Sequence, residues 1–292
     1  MTNAVFADLI ALLDIETIED NLFRGQSRDL GGKSVFGGQV LGQALVAAQR
    51  TVAGASAHSM HAYFVRPGRM DAPIVYEVER IRDGRSFSVR RVHAIQHGRP
   101  IFSMITSFHR EELGPSHASP MPEVPPPEAL KSQAQWREQW LEDCPPAFRE
   151  RFQRQLAIEF RPVHPVNPFR PEARAPQQAI WFRADGSLDD DLLLHQAVLT
   201  YASDFNLLST ALLPHSSSFV QPHMVVASLD HALWLHRPFR ADEWLLYSMD
   251  SPTAQGARGL SRGLIFNRSG ELVASVAQES LMRDTRLGQD SD

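Results

Sequence analysis

This chain of 292 residues sets out one pattern twice, on either side of a proline-rich middle, and that repetition limits its possible folds more than any other feature. The first half reads as a turn-rich approach containing Gly31-Gly32 and Gly37-Gly38, then a helix, then four strands. The helix is Gln39-Val-Leu-Gly-Gln-Ala-Leu-Val-Ala-Ala-Gln49, whose small and apolar residues suit burial on all sides. The strands are expected near 58–66, 74–81, 86–96 and 100–110, with Asp83-Gly84 and His97-Gly98 as hairpin turns. The second half repeats the order. A strand near 178–183 precedes a helix at about 190–213, and strands follow near 223–236, 243–250, 257–267 and 271–282. Landmarks agree as well: Arg66-Pro67 and Arg237-Pro238 each lie 25 residues before a further arginine, Arg91 and Arg262, and the turn glycines Gly98 and Gly270 fall 172 apart. An internal duplication is the simplest explanation.

Between the halves, 13 of the 20 prolines fall from Pro115 to Pro176. Proline breaks helix interiors and cannot donate to a sheet ladder, so this stretch reads as a connector with room for short surface helices over 128–143 and 147–160. The expected organisation is a first repeat over 1–112, a connector over 113–174 and a second repeat over 175–292. One helix followed by an antiparallel sheet, performed twice, gives an α+β fold with each sheet wrapped around a buried helix. Two ordinary α+β domains are the alternative.

Composition excludes several classes. A hydrophobic share of 43% with 22% charged residues supports a sizeable core. A net charge of −5 argues against nucleic acid, whose phosphates call for a basic surface. No run approaches the roughly 18 apolar residues that span a bilayer. The first ten residues lack a basic start and a long apolar run, so export is not expected. The last three, Asp290-Ser291-Asp292, form no peroxisomal signal, and a cytoplasmic protein is expected. Cys144 is alone, so no internal disulfide or cysteine-rich metal site can form. Only Lys33 and Lys131 among the 29 basic residues are lysine; codon bias is one reading of this, and arginine's planar fork, which suits a phosphorylated ligand, is the other.

Several kinds of chemistry are unsupported. No G-x-S-x-G elbow, Walker loop or dinucleotide glycine pattern occurs. The histidine pairs His58/His61 and His231/His236 have odd separations, which on a strand send the rings to opposite faces, and His93 and His97 would stand about 13 Å apart. No metal is expected. The two helices differ in a more useful way. Residues 30–70 contain no acid, whereas the second helix carries Asp204 inside a mostly apolar run. A carboxylate there costs several kcal/mol unless it is hydrogen-bonded. It is either an exposed or capping residue, or a base that orients water between the halves. Ser228 and Gln278 interrupt apolar strand segments and could hold a water without titrating, or could simply face outward.

Long motifs in order give the chain a family resemblance. In the first half these are Leu22-Phe-Arg-Gly-Gln-Ser, Val35-Phe-Gly-Gly-Gln-Val-Leu-Gly-Gln-Ala-Leu, Tyr63-Phe-Val-Arg-Pro-Gly and Arg82-Asp-Gly-Arg-Ser-Phe-Ser-Val-Arg-Arg-Val. In the second they are Ser203-Asp-Phe-Asn, Leu229-Asp-His-Ala-Leu-Trp-Leu-His-Arg-Pro-Phe, Glu243-Trp-Leu-Leu-Tyr, Ala257-Arg-Gly and Val273-Ala-Ser-Val-Ala-Gln-Glu. The sequence resembles the type II acyl-CoA thioesterases, which have a double hot-dog fold. The resemblance implies a catalytic aspartate, hydroxyl and glutamine that together hold the attacking water, falling on Asp204, Ser228 and Gln278. Many members have threonine where this chain has Ser228. The histidine at the start of the first long strand, His58, is also a family feature and is either a ligand contact or a strand-entry residue.

The expected reaction is hydrolysis of medium- to long-chain acyl-CoA without a cofactor. Arg237, Arg258 and Arg262 are candidates to meet the CoA phosphates, ordinary surface roles being the alternative. A homo-oligomer is expected, because sheets of this fold often pair across subunits. A hot-dog hydratase or dehydratase and a non-catalytic acyl-CoA-binding protein are the other classes to be tested.

Overall fold

In the computed structural model, which describes residues 3–30 and 32–287, the duplication becomes one continuous antiparallel sheet around two central helices. Gly31 of the first turn and the C-terminal tripeptide lie outside the described residues. The chain opens with α1 (Ala4–Leu13), the hairpin β1 (Glu16–Glu19) and β2 (Leu22–Gly25), and the first central helix α2 (Gly37–Gln49). Four strands follow: β3 (Ser56–Phe64), β4 (Ile74–Asp83), β5 (Phe87–Gln96) and β6 (Arg99–His109). The connector holds α3 (Gln133–Gln139) and α4 (Arg149–Gln153) and ends in β7 (Ile158–Pro162). The second repeat has β8 (Gln177–Ala184), α5 (Leu192–Ser203), α6 (Leu207–Leu212), β9 (Met224–Ser228), β10 (Asp230–Leu235), β11 (Leu245–Gln255), β12 (Arg258–Asn267) and β13 (Leu272–Asp284).

Strand order across the sheet is β1-β2-β4-β5-β6-β3-β10-β13-β12-β11-β8-β7, with β9 paired to β13. Counted outward from the β3–β10 seam, the two halves have the same order: each repeat contributes its first long strand to the seam and its last strand beside it. The seam is closed by direct pairing, with Met60 opposite Leu233 and Ala62 opposite His231.

The central helices run antiparallel against each other. Gly38 of α2 meets Tyr201 of α5 and Gly42 meets Ala197, while Gln49 Nε2 donates to Gln196 Oε1 at 3.2 Å. Small residues at 38 and 42 bring the backbones this close. Nearly every side of α2 is buried, because α5, α1 and the first half of the sheet enclose it. The buried amide of Gln43 is satisfied by Leu12 O, Gln26 O and the Tyr76 hydroxyl.

Three expectations need correction. The helix expected over 190–213 is two helices, α5 and α6, broken at Asp204–Asn206 where Asn206 takes a left-handed φ of 69°. Asp204 is therefore the C-cap of α5 and not a mid-helix residue. The strand expected over 223–236 is interrupted at Leu229, whose N–H donates to Glu279 O while its carbonyl accepts from Phe64 N–H. The helix expected over 147–160 stops at Gln153, and Ile158-Glu-Phe forms strand instead. Its alternation puts Ile158 and Phe160 in the core, while Arg161 and Arg183 pair with Glu159 on the other face. The end of the connector thus pairs with β8, occupying the place that β1 takes beside β2.

Candidate active site

The break after α5 and the start of α2 meet because the two helices are antiparallel. Asp204 is 9% exposed at the C-terminal end of α5, where the helix dipole disfavours its charge. Opposite stands the N-terminus of α2, whose N-cap Phe36 offers no side-chain cap. Gly38 N–H donates to Asp204 Oδ2 at 2.8 Å, so the orphan donor of one helix satisfies the carboxylate of the other. A Cβ on Gly37 would sit 2.7 Å from the same oxygen, and one on Gly38 only 2.3 Å from Tyr201 O. Glycine is required at both positions for the approach.

The second oxygen of Asp204 faces the strands. Ser228, the last residue of β9, donates its hydroxyl to Oδ1 across a long 3.4 Å. Gln278 on β13 donates from Nε2 to Ser228 Oγ at 3.0 Å and lies near Ser280 Oγ at 3.1 Å. Behind it His231, fully buried on β10, meets Gln278 Oε1 through Nδ1 at 2.8 Å and Ser203 Oγ through Nε2 at 2.9 Å. Asp204, Ser228 and Gln278 therefore come together as the sequence motifs led us to expect. Gly38 and His231 were not singled out. Gly38 read as a turn glycine, and His231 was weighed only as half of a metal pair; its partner lies across the ladder, where sequence spacing gives no signal.

Burial dominates the electrostatics. It pushes the Asp204 carboxyl above the usual range, opposed by His231, the Gly38 N–H and the Ser228 hydroxyl. It pushes His231 down, opposed chiefly by Asp204 and then by the bond to Gln278. A carboxylate so raised is a stronger base than an exposed one.

Asp204 and Ser228 open into a cleft of about 820 Å³. Val40, Phe64 and Phe102 from the first repeat and Ile180, Phe205 and Leu212 from the second supply apolar walls. The connector closes another side with Trp140, Phe152 and Phe169, and it brings Arg137, Arg151 and Arg154 to the lining. The stretch read as a mere link between repeats is thus a wall of the site.

The remaining candidates are elsewhere. His58 bonds Ser107 Oγ at 2.8 Å and packs on Phe87 and His109. Arg237 donates to Leu272 O and Ser116 Oγ. Arg258 pairs with Glu279 at 2.9 Å and Arg262 with Asp250 at 2.6 Å, both on exposed strand surface. None of the four lines the cleft. Among the described residues, no cluster able to hold a metal occurs, and no helix is long and apolar enough to cross a membrane.

The first repeat lacks the same chemistry. Arg50 follows the end of α2 as Asp204 follows α5, and Thr106 stands eight residues past Gly98 as Gln278 stands past Gly270. Arg50 pairs with Asp14, and the Thr106 hydroxyl is buried without a hydrogen bond. The two halves share one strand order, and only the second places a carboxylate at this helix end.

A sheet wrapped twice around paired helices is the hot-dog fold in its double form. A protein of unknown function from Alicyclobacillus acidocaldarius, solved with a hot-dog fold, superposes with a TM-score of 0.76 at 17% identity, covering 94% of this chain and 98% of that one. Two family models match: the acyl-CoA thioesterase N-terminal domain over residues 26–109 and acyl-CoA thioesterase over 148–281. Acyl-CoA thioesterase 2 of Haemophilus influenzae is 40% identical over 280 residues, covering 96% of this chain and 98% of that protein. The crystal structure of acyl-CoA thioesterase II TesB2 from Mycobacterium marinum matches with a TM-score of 0.77 at 42% identity, over 94% of this chain and 98% of that one. The chain belongs to the acyl-CoA thioesterase family.

Proposed function

We propose that the protein hydrolyses medium- to long-chain acyl-CoA to free fatty acid and CoA by attack of a water held between Asp204, Ser228 and Gln278. The observation that carries this reading is the buried carboxylate of Asp204 lining a largely apolar cleft, with the Ser228 hydroxyl against it and the Gln278 carboxamide behind that hydroxyl. Asp204 takes a proton from the water as it attacks the thioester carbon; the developing oxyanion faces the N-terminus of α2, where Gly37 lines the cleft. Collapse expels CoA as a thiolate, a good leaving group that needs no strong general acid.

The acyl chain lies along the apolar walls, where each buried methylene adds about 0.8 kcal/mol of binding. The cleft's volume is at the upper end of the roughly 300–1,000 Å³ of small-molecule sites, which favours medium and long chains. The CoA phosphates find better candidates in Arg137, Arg151 and Arg154, which line the cleft, than in Arg237, Arg258 and Arg262. The outward-facing Tyr63 and Ile105 near the seam, 66% and 42% exposed, support a homo-oligomer.

Thiol release from saturated acyl-CoAs of graded length, with wild type beside Asp204→Asn, tests the reading. The variant should lose at least about 100-fold in turnover while remaining folded, because positioned general-base help is typically worth 10²–10⁴. Near-normal turnover by folded Asp204→Asn would remove Asp204 from the chemistry. Hydration of an enoyl-CoA without thiol release would place the protein among the hydratases instead.

A further inference from the structure

His231 belongs to none of the groups that face the cleft, yet it is fully buried and both its ring nitrogens are engaged. A buried histidine with two partners must commit each nitrogen to one role. The roles follow from the carboxylate outward. Ionised Asp204 can only accept, so the Ser228 hydroxyl donates to it. With its one proton spent, Ser228 Oγ accepts from Gln278, which turns Nε2 of the carboxamide toward Ser228 and Oε1 away from it. Oε1 accepts from His231 Nδ1–H, which leaves Nε2 of a neutral ring as an acceptor, and the Ser203 hydroxyl, which stands 2.9 Å from both Nε2 and Thr200 O, then turns its proton to Nε2. Ser203 is the residue before Asp204, and its carbonyl is held by the Tyr247 hydroxyl at 3.0 Å. The hydrogen bonds therefore form a chain from one side of Asp204 to the other, through β9, β13 and β10.

We infer that His231, as its Nδ1–H tautomer, is a positioning residue that holds the Gln278 carboxamide with Nε2 toward Ser228 and the attacking water. A carboxamide alone has two orientations of equal shape. The flipped one would present Oε1 to Ser228, leaving two acceptors facing each other beside the carboxylate and no N–H for the water. His231 makes that orientation costly, because Nδ1–H would then meet the carboxamide N–H₂ group. The first repeat shows the position without this function: Met60 faces Thr106 there in the ladder, at the cross-strand place that continues the Ala232–Ala277 register to His231 and Gln278. Where the amide is gone, the histidine is gone too.

The inference rests on the proposed catalytic role of Asp204, and two variants with one spectroscopic measurement separate the two. His231→Met substitutes the side chain that the first repeat already packs at this position. It should lower kcat about 10- to 100-fold with KM changed less than about twofold, the scale expected when a reacting group is misplaced. His231→Asn keeps an N–H near the place of Nδ1 and should recover most of that loss. In wild-type protein, ¹⁵N histidine spectra should show the His231 signal, assigned by its disappearance in His231→Asn, as neutral with the proton on Nδ1. An Nε2–H tautomer would overturn the inference, as would wild-type kcat in folded His231→Met while Asp204→Asn is inactive. Activity in Asp204→Asn would instead sink the catalytic reading, and the tautomer would still report whether His231 orients Gln278.

Discussion

Adding one methyl group where the two central helices touch gives a prediction whose sign runs against helix propensity. Gly38→Ala places a Cβ 2.3 Å from Tyr201 O, where ordinary contact begins at 3.4 Å, so the helices must part by about 1.1 Å. Alanine inside a helix normally gains about 1 kcal/mol over glycine. Here overpacking against a backbone carbonyl costs about 1–3 kcal/mol. Drawing Gly38 N–H away from Asp204 weakens a bond to a charged group, worth about 1.5–3 kcal/mol when intact. The net is a loss of about 2–4 kcal/mol, a fall in melting temperature of roughly 3–7 °C for a chain of this size. Because the same N–H fixes the carboxylate, kcat should fall by about tenfold or more. Gly42→Ala is the control. Its Cβ meets the movable end of Leu13 at 2.8 Å and a carbonyl only at 3.3 Å, so its loss should be smaller. Thermal unfolding and thiol release on both variants decide the matter. If Gly38→Ala melts at or above wild type with undiminished kcat, the close approach does not hold Asp204.

Two further expectations concern the same site. Burial raises the Asp204 pKa above its unfolded value, so its contribution to stability is complete at low pH and is lost as pH rises through the folded pKa. Asp204→Asn escapes that loss: its melting temperature relative to wild type should climb as pH rises above the ordinary aspartate range at about 4, while wild-type kcat/KM climbs over the same interval as the carboxylate forms. A constant melting difference over that interval would refute the raised pKa. Ser228→Ala removes both the donor to Asp204 and the acceptor for Gln278; since the 3.4 Å bond is long, about a tenfold loss in kcat is expected, whereas Ser228→Thr should stay within about threefold of wild type. An alanine variant as active as the threonine one would show that the hydroxyl is unnecessary.

Much of the architecture was legible because it is written in local periodicity. The apolar run from Gln39 to Gln49, the paired turn glycines Gly98 and Gly270 and the alternating strands between them place one helix and one sheet in each half. Asp204, Ser228 and Gln278 stood out as polar residues in apolar runs, and the Ser203-Asp-Phe-Asn and Val-Ala-Gln-Glu motifs joined them through the family resemblance. Where the pattern was read over too long a window, it erred. The run over 190–213 concealed the left-handed Asn206 that ends α5 at Asp204, and the proline-rich stretch concealed β7.

What only the tertiary structure decided are the meetings across distance. Antiparallel α2 and α5 bring Gly38 to Asp204 from 166 residues away, and β10 beside β13 brings His231 to Gln278 across 47. Folding also turns the connector, whose prolines suggested only a link, into a wall of the cleft carrying three arginines. Sequence periodicity records which face of each element is apolar, because that is decided by neighbours along the chain. Which end of one element faces which end of another depends on how whole faces pack, and that exists only once the two repeats have closed on each other.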